Sequence, residues 1–545
     1  MALLTIGILA SLATCLVFHL LASTLAGRRA PKGLRDVPVA GNQAALMGAY
    51  PHRQLQNWSR EHGELFKVRL GGEEWIFVNS PAAVKEIFDR QSQYSSSRAP
   101  SPVVSDILSG GMRLLLMPYS PHWRKLRAIV HKLLTPKSSN TFLPSQEFEA
   151  KRLLWDILTN NENQENFYMH IRRYTISVVM TSTYGRRVPV WDCEDVREVY
   201  GLMQEFSETA NPGKHIAEMF PVLANLPTFM QWWRKATLQS FHRQAAIWMK
   251  YWTKLKEQMD SNQAPECFVK QFIESDYEKN GISELQAAFV AGTMIEAGSE
   301  TTSSALNSCV RYLAAYPEAQ AKAYEELHRV IGGNRMPNFE DEKDLPYIRA
   351  CVKEVLRIRP VTKDAIIISI GSPHYTTADI VYNGYFIPAN TVVSVNQYAL
   401  HFDPARYDRP DDFIPDRYLN HPLKAGAYAA LSDPYERDHF DFGAGRRICP
   451  GMHLAENSLF ITIASLNWAF EILPPILDGK VDTVDVSDAA YEEGVNTLPK
   501  PGKLRFVPRS KTVEETIRVQ WQEAEKDGYM LGSIKVNSEG MVAGI

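Results

Sequence analysis

The segment that decides the fold is Phe442-Gly443-Ala444-Gly445-Arg446-Arg447-Ile448-Cys449-Pro450-Gly451. Its cysteine follows two arginines and precedes a predicted helix over 451–470. Positive charge and a helix N-terminus both favour a thiolate, which is the form of cysteine that binds metals. The glycines permit the backbone to wrap tightly around the sulfur, and backbone N–H groups that donate to it would tune the metal. We therefore interpret Cys449 as a candidate metal ligand.

The alternative for Cys449 is a buried structural thiol, which is the usual role of an isolated cysteine. The pattern F-G-x-G-x-R-x-C-x-G fixes six positions, and its chance occurrence in this length is roughly one in 10⁵. The segment resembles the haem-binding loop of the cytochrome P450 family. The resemblance implies that Cys449 is the axial ligand of the iron of haem b. It also implies that Arg447 pairs with a haem propionate and that the remaining cofactor-binding positions of the loop are Phe442, Gly443, Gly445 and Gly451.

Two further motifs match the same family upstream of the loop. Glu354 and Arg357 match E-x-x-R, and Arg417 ends a matching F-x-P-x-R segment. Residues three apart on a helix share one face and can pair. Taken alone, such a pair would be interpreted as a solvated surface pair. The resemblance instead implies that Glu354, Arg357 and Arg417 form a buried structural group.

Trp123 and Arg127 match the family's W-x-x-x-R motif and share a helical face. The resemblance implies that both side chains reach a haem propionate. The alternative for Trp123 is ordinary core packing.

The segment Ala297-Gly298-Ser299-Glu300-Thr301-Thr302 lies midway along a helix predicted over 282–315. Glycine and threonine are poor helix formers, so we expect a local opening of the helix here. The resemblance identifies the segment as an oxygen-binding groove in which the Thr301 hydroxyl binds dioxygen and Glu300 relays protons. The alternative is an ordinary helix whose hydroxyls bond back to its own carbonyls.

Composition excludes several classes of protein. The chain has 545 residues, is 45% hydrophobic and 22% charged, and carries a formal net charge of −3. This charge argues against a nucleic-acid binder, and six scattered cysteines without a C-x-x-C pair do not predict a disulfide framework. A reducing compartment fits these thiols. We find neither G-x-G-x-x-G nor a Walker loop, so we expect no NADPH or ATP site in the chain itself.

The N-terminal 27 residues contain no Asp, Glu, Lys or Arg, and Arg28, Arg29 and Lys32 follow directly. This pattern predicts a transmembrane anchor with the body on the cytoplasmic side. A cleaved secretory signal is the alternative, but it would have a basic beginning and a shorter apolar stretch. We divide the chain into an anchor (1–27), a proline- and glycine-containing hinge (28–42), a catalytic domain (43–509) and a C-terminal extension (510–545). The resemblance implies attachment to the endoplasmic reticulum membrane.

The predicted fold is mainly α with small β-sheets (α+β), and the resemblance implies the cytochrome P450 fold. Helical patterns are expected over 121–134, 282–315, 343–358 and 451–470, and strands within 66–78, 364–396 and 503–507. In the extension, residues 512–528 are predicted to form a charged surface helix, to which we assign no function.

The resemblance implies a monooxygenase that activates O2 and hydroxylates or otherwise oxidises a lipophilic small molecule. The sequence around 382–388 is similar to that of fungal members that tailor secondary metabolites. The implied electron donor is NADPH-cytochrome P450 reductase, with cytochrome b5 as a further candidate partner. A basic docking face, or alternatively a solvated charged face, would comprise Arg124, Lys125, Lys132 and Arg446.

The predicted substrate pocket is mostly apolar. It draws on the segments at 100–118, 203–220, 297, 362–368 and 495–497. The stretch 362–374 is longer than is usual in the family, so the alignment of pocket residues there stays open.

Two other interpretations of the site remain. One is a haem-thiolate isomerase, dehydratase or peroxygenase that needs no reductase, against which the Glu300–Thr301 pair argues. The other is a non-enzymatic haem protein that binds a ligand for signalling.

Overall fold

The computed structural model describes residues 29–542 except 47, 49, 71–72, 161–163, 212, 363–372 and 493–495, together with residues 11 and 15. Helices dominate the described chain, in agreement with the predicted fold class. The α-helices, α1 to α18 in order, are Pro51–His62, Pro81–Val84, Ser92–Ser95, Pro121–Leu133, Pro136–Asn140, Leu143–Thr159, Asn166–Tyr184, Glu194–Thr209, Ile216–Met219, Arg234–Asp260, Phe268–Glu274, Glu284–Ala315, Pro317–Ile331, Pro346–Ile358, Gln397–His401, Ala425–Ala430, Met452–Ala469 and Lys511–Asp527.

The strands are short and lie at the edges of the helical body. Strands β1 to β14 are Arg35–Asp36, Val39–Asn42, Leu65–Leu70, Glu73–Val78, His374–Tyr375, Ile380–Tyr382, Tyr385–Ile387, Val392–Val395, Phe470–Leu473, Ile476–Leu477, Lys480–Val481, Arg505–Pro508, Tyr529–Leu531 and Ile534–Val536. The largest sheet has the order β2-β3-β4-β8-β5, and a second has the order β1-β7-β6. Strands β6 and β7 are joined at Asn383-Gly384, where both residues have positive φ, as the tight-turn signal predicts.

Helix α12 is the central element of the fold. Its N-terminal cap is Ser283, whose side chain accepts a hydrogen bond from the backbone N–H of Gln286. Its second half is buried on all sides, since every residue from 302 to 314 is buried. It packs most extensively against α7 and also against α10 and α17. Helix α17, which follows the cysteine loop, is therefore held directly against the helix that carries Thr301.

The C-terminal extension is an integral part of the body. Helix α18 is charged on one face, as the sequence predicts, but Val513, Ile517 and Trp521 on its other face are buried. Trp521 packs against Phe148 of α6, with ring centroids 5.3 Å apart. The antiparallel hairpin β13–β14 completes the same apolar cluster. The predicted charged surface helix is thus present, and its apolar residues, which recur at helical spacing, attach it to α6.

Part of what the sequence predicts lies outside the described residues. This holds for the anchor over 1–27, apart from two isolated positions, and for most of the pocket segment at 362–368. Among the described residues, no helix is both long and apolar enough to cross a bilayer. The pocket segment predicted over 203–220 is two helices, because α8 ends at Thr209 and α9 spans Ile216–Met219.

Candidate active site

The cysteine loop is closed on itself by a backbone hydrogen bond. The N–H of Cys449 donates to the carbonyl of Phe442 over 2.8 Å. Gly443 and Gly445 have φ values of +73° and +63°, which only glycine adopts easily. A Cβ at Gly445 would also collide with the carbonyl oxygen of Phe88. Gly451 has φ of −87°, and a Cβ there would meet no neighbouring atom, so the backbone requires two of the three predicted glycines.

The sulfur of Cys449 accepts hydrogen bonds from the backbone N–H groups of Gly451 and Met452 at the start of α17. Burial nevertheless raises the pKa of the thiol, and it outweighs the Gly451 amide and the charge of Arg127, which lower it. The positive surroundings noted in the sequence therefore do not by themselves make the thiolate dominant. Coordination to a metal would make the thiolate dominant, because a metal deprotonates a thiol that binds it.

Arg98, Arg127 and Arg447 form a positively charged cluster beside the loop. Burial and the charge of Arg127 lower the pKa of Arg98 to about 9. Burial and the charges of Arg98 and Arg127 lower the pKa of Arg447 to about 8. Because each positive charge disfavours the others, an anionic group bound among them would be stabilised.

Backbone carbonyls of the segment 96–117 hold Arg98 and Arg447 in place. Arg447 donates from Nε to the Ser96 oxygen over 2.8 Å and from Nη2 to the Met117 oxygen over 2.7 Å. Arg98 donates from Nε to the Leu115 oxygen over 2.9 Å. These hydrogen bonds to the backbone therefore fix the positions of both guanidinium groups.

Trp123 and Arg127 lie on the same face of α4, as their spacing predicts. Trp123 is buried, and its Nε1 donates to the carbonyl of Leu114 over 3.1 Å. Its ring lies under the guanidinium of Arg447, 4.0 Å from the Arg447 Cζ. Arg127 donates to the carbonyl of Ile448, the residue before the cysteine. The structure thus gives Trp123 a packing and positioning contact, while contact of either side chain with a propionate stays a prediction.

The residues around Cys449 fit a haem. A sulfur that accepts two amide hydrogen bonds is suited to ligate the iron. Three clustered arginines are suited to hold the two propionate carboxylates of the porphyrin. Thr301 and its neighbours border an open space, since Ala297 is exposed although the helix continues into the buried core.

Helix α12 is unbroken from Glu284 to Ala315, so the expected local opening of the helix is wrong. The Thr301 hydroxyl donates to the Ala297 carbonyl over 2.6 Å. Helix packing explains why residue 298 is a glycine, because the side chain of Val179 on α7 lies too close for a Cβ at this position. The small residue permits close approach of α7 and α12 and does not open the helix.

Glu300 is held from two sides. Its Oε2 accepts a hydrogen bond from Nδ2 of Asn496 over 2.8 Å. Arg172 Nη2 lies 4.0 Å from its other carboxylate oxygen. Asn496 belongs to the turn that the sequence assigns to the pocket, and this turn meets the 361–362 segment through a bridge between Thr362 and Asn496.

The structure brings Glu354, Arg357 and Arg417 together. Arg357 donates from Nε and Nη2 to the two Glu354 carboxylate oxygens over 2.7 and 2.8 Å. Arg417 Nε lies 3.3 Å from Glu354 Oε1. Arg357 also donates to the carbonyls of His401 and Pro410, so it ties α14 to the loop that leads toward the cysteine.

Arg98 is a site residue that sequence reasoning missed. It stands in no motif, and nothing along the chain distinguishes it among the 59 lysines and arginines. His374 is a second such residue: its Nδ1 lies 2.7 Å from the Ser95 oxygen, and burial, followed by the charge of Arg98, keeps its pKa well below the usual range. The sequence gives no sign that either residue belongs to the site; only the folded contacts with the loop that carries Arg447 reveal it.

The fold and the cysteine site define the haem-thiolate class of proteins. The chain belongs to the cytochrome P450 family, whose family model matches residues 31–506. It is 43% identical over 511 residues to the cytochrome P450 monooxygenase pgmC of Aspergillus terreus, covering 93% of this chain and 92% of that protein. It is 39% identical over 502 residues to the monooxygenase verL of Clonostachys rogersoniana, covering 91% and 90%. The chain is thus a cytochrome P450 monooxygenase.

A solved structure of a zebrafish cytochrome P450 with progesterone supports the fold. It superimposes with a TM-score of 0.67 at 23% identity and covers 84% of this chain and 99% of that one. At this identity the likeness concerns the fold alone.

Proposed function

We propose that this enzyme inserts one oxygen atom of O2 into a lipophilic small molecule during secondary-metabolite biosynthesis, with electrons from an NADPH-dependent reductase. The observation that carries the proposal is the Cys449 sulfur, which two backbone amides face at the start of α17. The fungal relatives of this chain are named as monooxygenases of the same family. The substrate class and the electron donor are parts of the proposal.

Each side chain of the site has a task in this proposal. A bound haem supplies the oxygen-activating chemistry, which a thiolate ligand promotes by donating electron density. Cys449 holds the iron, and the Gly451 and Met452 amides limit how much charge its sulfur carries. Arg98 and Arg447 would hold the porphyrin carboxylates and thereby orient the cofactor.

Thr301 and Glu300 are suited to hold and move protons at the accessible part of α12. The Thr301 hydroxyl donates to Ala297, which leaves its oxygen free to accept a hydrogen bond from a water or substrate group. Glu300 is oriented by Asn496 and is only partly buried, so it can exchange protons with solvent. Oxygen activation consumes protons, and a positioned acid and hydroxyl are the groups that can deliver them.

The predicted docking face of the reductase lies on the outer side of the cysteine loop. Arg124, Lys125, Lys132 and Arg446 are all exposed there. Arg446 and Ile448 line part of a cavity of about 930 Å³. Positive charge of this kind accelerates encounter with an acidic partner.

We place the enzyme on the cytoplasmic face of the endoplasmic reticulum membrane. The uncharged stretch over 1–27 and the basic residues that follow it support this placement. Fluorescence of a C-terminally tagged full chain tests it, and a soluble distribution after cell fractionation would contradict it.

The central experiment uses membranes that carry the full chain together with a reductase. Candidate lipophilic substrates are supplied, and products are identified by mass after addition of NADPH and ¹⁸O2. We expect a product that is heavier by one ¹⁸O and depends on both NADPH and reductase. Turnover without reductase would instead favour the isomerase, dehydratase or peroxygenase class.

A pair of cysteine variants tests the ligand itself. Cys449→Ala should abolish the thiolate-type absorption of the reduced carbon monoxide complex, because the sulfur no longer reaches the iron. Cys309→Ala is the matched control, since Cys309 is a buried thiol on α12 that faces the core. A thiolate-type spectrum in Cys449→Ala would overturn the assignment.

A further inference from the structure

A buried polar cluster lies where four elements meet beside the accessible part of α12. Arg113, from the segment between α3 and α4, donates to the Glu296 carboxylate of α12. Its Nη2 donates to Oε1 of Gln244 on α10 over 2.6 Å. Its guanidinium carbon lies 4.2 Å from the centre of the Phe206 ring on α8. Arg113, Glu296 and Gln244 are the polar cluster, and Phe206 flanks it.

The polar cluster retains unused hydrogen-bonding capacity. Arg113 is 3% exposed and Gln244 is fully buried. Yet Oε1 of Glu296, Nε2 of Gln244 and Nε of Arg113 each lack a hydrogen-bond partner among the described residues. A buried donor or acceptor without a partner costs free energy, so packing alone does not explain this arrangement. A ligand that offers both a donor and an acceptor would satisfy the carboxylate and the amide together.

The polar cluster lies next to the exposed part of α12, where the proposed function requires the substrate to bind. Glu296 precedes the exposed Ala297 and lies five residues before Thr301, which is about 7.5 Å along the helix axis. Arg113 directly precedes Leu114, whose carbonyl accepts hydrogen bonds from Trp123 and Arg447. The cluster is therefore attached both to α12, which carries Thr301, and to the segment whose carbonyl groups hold Trp123 and Arg447.

The charges of the polar cluster cancel. Arg113 is paired with Glu296, while Gln244 and Phe206 are neutral. A carboxylate ligand would bring a second negative charge beside Glu296, which is unfavourable in a buried site. A neutral hydroxyl can donate to Glu296 and accept from Gln244 without adding charge.

Aromatic rings lie next to the polar cluster and along the same helices. Phe206 lies under Arg113, and Phe241, three residues before Gln244 on α10, stacks on Phe289 of α12 with centroids 5.6 Å apart. Flat rings favour a flat ligand, because aromatic pairs gain from stacked and edge contacts.

From these observations we infer that the substrate is a neutral aromatic molecule with a hydroxyl group, which the Glu296–Gln244 side of the polar cluster binds about one and a half helical turns from Thr301. This inference rests on the proposed monooxygenase function and narrows its substrate class. Arg113 is the positioning residue that holds Glu296 and Gln244 in place.

The test measures binding of three probes of matched shape to the haem-loaded enzyme by calorimetric titration. The probes are 2-naphthol, 2-methylnaphthalene and 2-naphthoate, which offer a hydroxyl, a methyl and a carboxylate at one position. We expect 2-naphthol to bind at least about tenfold more tightly than either of the others, since a hydrogen bond to a charged group has this order of effect. Equal binding of the three probes, or preference for 2-naphthoate, would overturn the inference.

Two variants assign the preference to the polar cluster. Arg113→Met combined with Glu296→Leu removes both charges at once, so that neither remains buried alone, and it should abolish the preference for 2-naphthol. Glu296→Gln keeps the volume but leaves a net positive charge, so it should bind 2-naphthoate about tenfold more tightly than the wild type does. An unchanged preference for 2-naphthol in the double variant, or an unchanged affinity for 2-naphthoate in Glu296→Gln, would exclude the cluster as the source of the preference.

The matched control is Ser308→Ala, a buried position on the same helix twelve residues beyond Glu296, which should keep the wild-type ranking. The thiolate-type spectrum of every variant reports whether the haem site is intact. A wild type that shows this spectrum and reductase-dependent turnover but no hydroxyl preference would refute only the substrate class. A wild type without them would refute the proposed function itself.

Discussion

Two methyl groups of Val179 lie where a side chain on Gly298 would stand, with Cγ2 and Cγ1 at 2.9 and 3.2 Å from the position of a Cβ. Gly298 is therefore a point of close approach between α7 and α12, three residues before Thr301. The glycine that suggests an opened helix in the sequence serves helix packing in the structure.

Gly298→Ala should destabilise the fold by about 1–3 kcal/mol, because the added methyl overpacks the contact with Val179. Chemical unfolding measures this, and Val179→Ala in the same chain should recover part of the loss, which a double-mutant cycle quantifies. Gly201→Ala is the control: Gly201 lies exposed in α8 with nothing near its Cβ position, so alanine should stabilise it slightly. Strict additivity of the two core substitutions would contradict the contact.

Thr301→Val should lower the product formed per NADPH about tenfold or more and release peroxide instead. Valine keeps the shape but removes the hydroxyl oxygen that can accept a proton-carrying hydrogen bond. NADPH consumption, peroxide and product are measured in the same reaction. Thr293→Val is the matched control. Thr293 lies two turns before Thr301 on the same helix, and its hydroxyl likewise donates to a backbone carbonyl, that of Phe289. Unchanged coupling in Thr301→Val would remove Thr301 from the mechanism.

Glu354→Gln should destabilise the protein by about 3–5 kcal/mol. The carboxylate pairs with Arg357, and both side chains are fully buried, so its loss leaves an uncompensated charge in the interior. Urea unfolding of the haem-loaded protein checks this value. Asp276→Asn, in the exposed pair with Lys279, should have no measurable effect. Comparable losses in the two variants would mean that burial does not set the strength of the Glu354 pair.

Trp521→Ala should cost about 3–5 kcal/mol, because it leaves a cavity between α18 and α6. Trp521 is 1% exposed and packs on Phe148. Met530, in the same extension but 40% exposed, supplies the control, and Met530→Ala should change the unfolding midpoint little. A tryptophan variant as stable as the wild type would mean that the extension is dispensable for folding.

Asp488→Asn should lower stability by about 1–2 kcal/mol at pH 7, after allowance for solvent screening. Burial raises the pKa of this carboxyl, but hydrogen bonds from His52 and Arg53 and the charge of Arg359 outweigh it and lower the pKa well below its ordinary 3.8. The stabilisation is therefore complete above 3.8 and is lost as the pH falls below that value.

Unfolding of Asp488→Asn and the wild type is compared between pH 7 and pH 3, and the difference should shrink toward the acid end. Asp411→Asn is the control, because Asp411 also faces Arg53 but is 70% exposed. A difference that grows on acidification would reverse the sign of the linkage.

The sequence alone determines the features that depend on neighbours along the chain. The cysteine loop and the spacing of Glu354 and Arg357 are local patterns, and the structure agrees with both. Ser120 and Ser283, which cap the N-termini of α4 and α12, are local signals of the same kind. A cap needs a side chain within three residues of its target, and a helix pair needs a spacing of three or four. Such distances are already fixed by the covalent chain.

Only the tertiary structure decides which distant residues meet. Arg447 bonds to Ser96 across 351 positions of the chain, which brings it beside Arg98, and Arg113 meets Glu296 across 183. Neither contact has a periodicity or motif, because its partners are selected by the packing of whole helices and loops. The same packing gives Gly298 its role against Val179. The residue that would bind the haem iron thus lies in one short segment of the sequence, whereas the proposed substrate site depends on how distant segments of the chain fold together.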